Sequence, residues 1–133
     1  MNIIACIDDN NGILFNNRRQ SRDKEVIKKI MDVVGENILL IHSFSKNLFE
    51  EYDNIVVNDN LLEEAKTSDF CFVENVKPTS CKNIHKVYLF KWNKKYPYDT
   101  TFDIKTDEYH LAFTEEFKGN SHDNITLEIY CKH

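Results

Sequence analysis

Glycine and proline are scarce in this sequence. Gly12, Gly35 and Gly119 are its only glycines, and Pro78 and Pro97 its only prolines. Walker A loops, GxGxxG turns and GxSxG elbows each need glycines a few residues apart, so none of them is present. Cysteine is sparse as well: Cys6, Cys71, Cys81 and Cys131 lie without CxxC spacing. That scatter suggests neither a disulfide framework nor a zinc site, and it suits small buried thiols in a reducing compartment. His42, His85, His110, His122 and His133 show no HxH, HExxH or HxxxH spacing, so no metal site is expected. No apolar run approaches the roughly 20 residues that span a bilayer. The N-terminus enters a strand-like segment without the basic, apolar and cleavage-site succession of a signal peptide. Together these absences predict a cytoplasmic protein with no membrane contact. Basic residues are outnumbered, 17 Lys+Arg against 22 Asp+Glu, for a formal charge of -5. That balance argues against a nucleic-acid partner. The short basic runs, Arg18-Arg19 with Arg22 and Lys91 with Lys94-Lys95, read as solvated loop charge.

What the chain does contain is a globular composition, 41% hydrophobic with nine Phe, six Tyr and one Trp. Repeats, low-complexity tracts and linkers are missing, so residues 1–133 read as one domain with one core. Abundant Asn, Lys and Ile suggest an AT-rich genome of viral or parasite origin. Strand-like segments are Ile3–Ile7, Ile38–Ile41, Asn54–Val57, Asp69–Val73, Lys86–Phe90, Leu111–Phe117 and Ile125–Cys131. Several are apolar throughout, as strands covered on both faces are. Lys24–Val34 sets Ile27, Ile30, Met31 and Val34 on one stripe, with Gly35 as the stop, and predicts a helix. Asp59–Lys66 predicts a shorter one with Asp59 or Asn60 as N-cap, and helical turns are expected between Ser43 and Tyr52. The polar stretch Lys118–Asn124 fits a long hairpin turn before the last strand. The fold class is therefore α/β: a three-layer sandwich with a mostly parallel sheet, an antiparallel C-terminal hairpin and few short helices.

The opening run Asn2-Ile-Ile-Ala-Cys-Ile-Asp-Asp-Asn-Asn-Gly-Ile-Leu14 and the closing Asn124-Ile-Thr-Leu-Glu-Ile-Tyr130 resemble the first and last strands of dihydrofolate reductases. Between them Ile38–Leu48, Asn54–Val57, Phe70–Val73, Lys86–Phe90 and Asp99–Asp103 are similar to that family's elements in the same order. The resemblance implies a dihydrofolate-reductase-like fold over essentially the whole chain, and it implies sites for a pterin and for NADPH. The positions that would carry that chemistry hold other residues. The family places a carboxylic acid early in the first helix, whose pKa must rise toward working pH. In the better register Val26 falls there; a shift by one brings Glu25, which otherwise reads as a solvent-facing carboxylate favoured by the helix dipole. Ala5, Cys6, Val26, Ile30 and Val73 would border the ligand cleft. The family's Leu-Pro-Trp before that helix reads Arg19-Gln20-Ser21, so a hydrophobic lid is missing.

The implied cofactor site is also altered. Gly-Arg-x-Thr at the second strand's end reads Ile41-His42-Ser43-Phe44, and the double glycine reads Glu74-Asn75. His42 is placed to meet an anion, although a lone histidine at a strand end is more often structural. Glu74 and Asn75 would put side chains, one of them negative, where a pyrophosphate needs bare backbone. Within the segment Leu48–Asn54, Glu50 and Glu51 stand where the resemblance implies an arginine for the substrate carboxylate. Between Val57 and Asp69 there is no room for the additional strand the family carries, and Lys77–Asn83, holding Pro78, replaces a longer helix. Lys91–Tyr98 interleaves Trp92, Tyr96 and Tyr98 with lysines, as single-strand nucleic-acid binders do. A loop packed on the core fits as well, and so do aromatic anchors for a protein partner. Three functions follow as expectations. The first is a catalytically degenerate reductase-like protein, without cofactor, that binds a macromolecular partner. The others are a minimal NADPH-dependent reductase using Glu25, and a small nucleic-acid module.

Overall fold

The computed structural model describes residues 1–78, 83–102 and 107–133. The elements in chain order are β1 (Asn2–Ile7), β2 (Gly12–Phe15), β3 (Arg18–Arg19), α1 (Lys24–Val34), β4 (Leu39–Ile41), a 3-10 segment (Ser43–Leu48), β5 (Ile55–Val57), α2 (Leu61–Glu64), β6 (Phe70–Phe72), β7 (Lys86–Lys91), β8 (Thr100–Thr101), β9 (Tyr109–Phe117) and β10 (Ile125–Lys132). Seven strands form the main sheet in the order β5-β4-β6-β1-β7-β10-β9. The first five run parallel, and β10 is antiparallel to both β7 and β9. A three-stranded sheet, β3-β2-β8, packs beside it. The expected three-layer architecture is present, and all seven expected strands of the main sheet appear within two residues of the expected ends. Cys81, most of Lys77–Asn83 and the end of Asp99–Asp103 lie outside the described residues.

Strands β4 and β6 are buried at every position because the sheet is covered on both faces. Side chains alternate, so successive residues of β1 feed two different cores. Ile4 joins Val26, Ile30, Met31 and Val34 of α1. Ile3, Ala5 and Ile7 instead join Leu61 of α2, Ile13 and Leu14 of β2, and Phe102. Helix α1 has the expected bounds, for reasons carried at its ends. Asp23 caps the start by accepting from the Glu25 N–H, and Gly35 ends it at φ 62° with its N–H donating to Met31 O. The buried stripe starts one residue earlier than expected, at Val26, and Ile27 is half-buried. Helix α2 is a single turn with Asn60 as its N-cap. The hairpin expected at Lys118–Asn124 joins β9 to β10, and no described strand lies between β5 and β6.

The small sheet was not expected. Asp8 organises it: this fully buried carboxylate accepts from the backbone N–H of Asn10, Gly12 and Tyr96 and from Gln20 Nε2. A Cβ at Gly12 would sit 2.6 Å from Gln20 Nε2 and 2.7 Å from Tyr98 Cβ, so only glycine allows the loops to close this tightly.

Ile30 is fully buried at the centre of the α1 core. Ile30→Ala is expected to cost about 2–5 kcal/mol of unfolding free energy, read from urea denaturation. A loss within experimental error would mean that α1 is not packed against β1 as described.

Candidate functional site

In an open sheet of this kind ligands bind beyond the carboxyl ends of the strands, where the chain's path across the sheet reverses. Here that place is set by β1, whose neighbours are β6 on one side and β7 on the other. The residues gathered there are Cys6 at the end of β1, His42 after β4, Glu74 after β6, and the segment Arg19–Asp23 that enters α1.

Glu74 is buried, and its charge is met from three directions. Arg19 Nε lies 2.9 Å from Oε2 and Arg19 Nη2 3.0 Å from Oε1, a two-point ion pair. Ser45 Oγ donates to Oε1 at 2.7 Å. Arg19 also donates to Phe44 O at 3.2 Å and lies over the Phe44 ring at 5.4 Å. The clasp joins β3, the 3-10 segment and the end of β6. Arg19 is therefore not the solvated loop charge expected from its sequence neighbourhood, because a buried carboxylate across the fold recruits it.

A second cluster surrounds Asp23. Its carboxylate is fully buried and accepts from the N–H groups of Glu25, Asn120 and Ser121 and from Ser121 Oγ. It also pairs with His122 Nδ1 at 2.9 Å. The other ring nitrogen, His122 Nε2, meets Ser21 Oγ at 3.1 Å and Tyr96 OH at 3.0 Å. The imidazole stacks on Trp92, ring centroids 4.7 Å apart. Gly119 makes the approach possible, since a Cβ there would lie 2.6 Å from Asp23 Oδ2. Burial pushes the Asp23 carboxyl pKa up. The hydrogen bonds from Asn120, His122, Ser121 and Glu25 outweigh that and hold it well below the usual carboxylate range.

Ser21, His122 and Asp23 have the residue types of a nucleophile, a base and an orienting acid. Two observations argue against that chemistry. The Tyr96 hydroxyl shares Nε2, and the cavity beside Ser21 has a volume of about 20 Å³. A space of that size holds roughly one water. The cluster instead clamps the N-terminus of α1, the Lys118–Asn124 turn and the loop carrying Tyr96 to one another.

At the start of the 3-10 segment, His42 Nδ1 accepts from the Phe44 N–H at 3.0 Å. Asp59 packs against the same turn: its Oδ1 accepts from the Ser43 N–H at 2.8 Å, and His42 Nε2 is 3.6 Å away. These Ser43 hydrogen bonds lower the Asp59 pKa. Asn75 is exposed and reaches His42 Nδ1 at 3.4 Å.

Of the expected cleft residues, Cys6 and Val26 line the small cavity with Ser21, Asp23, Glu74 and Trp92. Ala5 and Val73 do not, because strand alternation turns both into the opposite core. Ile30 of α1 and Ile41 of β4 are buried in the same core and do not line the cavity. Burial, with the nearby charge of Glu74, raises the Cys6 thiol pKa far above its ordinary value, which keeps it protonated at neutral pH. Glu25 is exposed and lies outside the cavity lining; the buried carboxylate at this end of α1 is Asp23. Trp92 is 4% exposed, which corrects its reading as a surface anchor. Tyr96 is half-buried on His122, and only Tyr98 stays exposed. An open groove of about 510 Å³ runs outside the clasp, lined by Phe15, Arg18, Arg19, Tyr96 and Pro97 among others.

No family model matches the chain, and no curated protein matches it. Among solved structures it is similar to the dihydrofolate reductase from Enterococcus faecalis, complexed with NADP(H) and RAB-propyl. The two share 10% sequence identity at a TM-score of 0.72, over 99% of this chain and 95% of that one. The chain has the dihydrofolate reductase fold.

Arg19→Met should destabilise the protein by about 3–5 kcal/mol, since it leaves Glu74 charged and buried without its partner. Adding Glu74→Leu should recover most of that loss in chemical denaturation; a double variant no better than Arg19→Met would mean that the unpaired charge of Glu74 is not the source of the loss.

The depressed Asp23 pKa carries a second prediction. Its folded value lies below the unfolded one, about 3.9. The associated stability is complete above the unfolded value and is lost as pH falls through the folded one. Melting temperature should therefore fall below about pH 4, with a red shift of Trp92 emission in the same range. Asp23→Asn should flatten this acid limb; an unchanged limb would assign the acid sensitivity to other carboxylates.

Proposed function

We propose that this dihydrofolate-reductase-fold protein has lost hydride transfer and acts by binding a macromolecular partner. The observation that carries the reading is the self-occupied cleft. Glu74, paired with Arg19 and Ser45, stands where the sequence resemblance expects bare glycine backbone for a pyrophosphate. Asp59 takes the N–H of Ser43 at the helical start where a phosphate is expected. The cavity between β1 and α1 is about 20 Å³, against roughly 300–1,000 Å³ for small-molecule sites. Glu74 and Asp59 thus stand at the two places where the resemblance implies phosphate groups.

Surface features support a partner. Phe15 and Tyr98 are 41% and 43% exposed, and Phe15 forms one wall of the open groove with Tyr96, Pro97 and Arg18. Exposed aromatics beside an arginine are the residue types that dominate protein interfaces. A nucleic-acid partner is disfavoured because Trp92, which would have to stack on bases, is buried against His122.

Calorimetry with NADPH and with methotrexate should give no saturable heat, and dihydrofolate should cause no NADPH oxidation. Saturable binding of either compound would overturn this reading, and turnover abolished by Glu25→Gln would establish the minimal-reductase reading instead. On the positive side, partner capture should be lost in Phe15→Ala/Tyr98→Ala and kept in Leu111→Ala, which lies on the far edge of the sheet.

A further inference from the structure

We infer that two copies of this chain associate through the edge of β5 that no described strand covers, pairing antiparallel about a twofold axis at Val56. The inference stands apart from the loss of ligand sites. It rests first on which backbone groups β5 leaves outward. In the parallel ladder with β4, Leu39 N donates to Asn54 O at 3.0 Å and Asn58 N donates to Ile41 O at 2.9 Å. Parallel pairing alternates, so Val56 turns its N–H and C=O toward β4 while Ile55 and Val57 turn theirs away from the sheet. Those two residues are spaced for self-pairing. Ile55 of one copy and Val57 of the other would exchange two hydrogen bonds, and the twofold repeats the pair, making four.

Side chains on this edge favour the same partner. Asn54–Asn58 carries no charge, no proline and no bulge, the devices that normally protect an edge strand. Val56 and Val57 are 40% and 43% exposed, and Ile38, before β4, is 50% exposed. A twofold at Val56 sets Val56 against its own copy and Ile55 against Val57, both β-branched pairs of the kind that stabilise sheets.

The opposite edge of the sheet shows the contrast. Strand β9 carries the register shift between Ile129 and Tyr130, which leaves Ala112 without a cross-strand partner. Phe113 pairs with Ile129 of the α1 core and Leu111 with Tyr130 of the other core, so the two exposed side chains point to opposite faces. Glu115 and Glu116 add charge there. One edge is guarded and the other is open.

The strand is short, so the contact is small and the association should depend on concentration. Asp53 of one copy meets Asp59 of the other at the exposed ends of the ladder, so salt should strengthen it by screening that repulsion. Sedimentation velocity across a concentration series is the test. A monomer–dimer equilibrium is expected, lost in Val56→Lys and kept in Phe113→Lys. Mixing Val56→Lys with Val56→Glu should restore association, which a misfolded variant could not do. In the dimer the amide protons of Ile55 and Val57 should exchange more slowly than in the monomer. A monomer at every concentration, or a dimer that survives Val56→Lys, would overturn the inference.

Discussion

A carboxylate sealed at the end of a central strand must find positive charge and hydrogen-bond donors, or it destabilises everything packed around it. Glu74 finds them in Arg19 and Ser45, and the state of the cleft follows from that pairing. The guanidinium can reach Glu74 only if the segment before α1 folds inward across the strand ends. Once there it also holds Phe44 through its ring and carbonyl, which fixes the start of the 3-10 segment. Three elements distant in sequence are drawn together around one charge. The strand ends on that side of β1 are packed by their own side chains as a consequence.

The Asp23 cluster does comparable work on the other side of the same cleft. A helix cap alone would need one accepted hydrogen bond, yet this carboxylate accepts from three backbone N–H groups and also engages a serine and a histidine. Its ring partner His122 fills the space beside Trp92, and Ser21 and Tyr96 complete its hydrogen bonds. Enzyme clefts keep polar groups partly unpaired so that substrate can complete them. Here Glu74, Asp23, Asp8 and Asp59 all have partners within the chain, and Gln20 Oε1 is the one buried side-chain polar atom without a partner among the described residues. These pairings stabilise the packing of the strand ends against α1 and the turns around it.

Much of the fold was legible from the residue pattern because its strands are continuous β-branched and aromatic runs, buried on both faces. Helix α1 was legible to the residue, since its apolar stripe ends at a glycine. The small sheet was not: β3 and β8 have two residues each, too few for any periodicity, and the Asp8 carboxylate that gathers them acts across the chain. The cleft residues were half right. Cys6 and Val26 line it, whereas Ala5 and Val73 alternate away, a distinction that only strand register supplies. Asp23 carried a readable signal, an acid directly before the helix, but its burial depends on the Lys118–Asn124 turn folding over it. For Glu25 and Trp92 the sequence left two readings open each, and the structure bears out the solvent-facing carboxylate and the loop packed on the core, since exposure is a property of what packs nearby.

The fold is similar to a solved structure at 10% identity, so few individual residues are needed to specify it. Alternation of apolar and polar residues, strand length and helix stops carry that information locally, and a linear chain displays them. Which charge meets which partner is different. Arg19 and Glu74 are 55 positions apart, and Asp23 and His122 are 99 apart. Their encounters exist only after the strands have set their register, because electrostatic pairing depends on distance in space. The amino-acid order alone determined the scaffold; which buried charges pair at its strand ends was decided by the assembled tertiary structure.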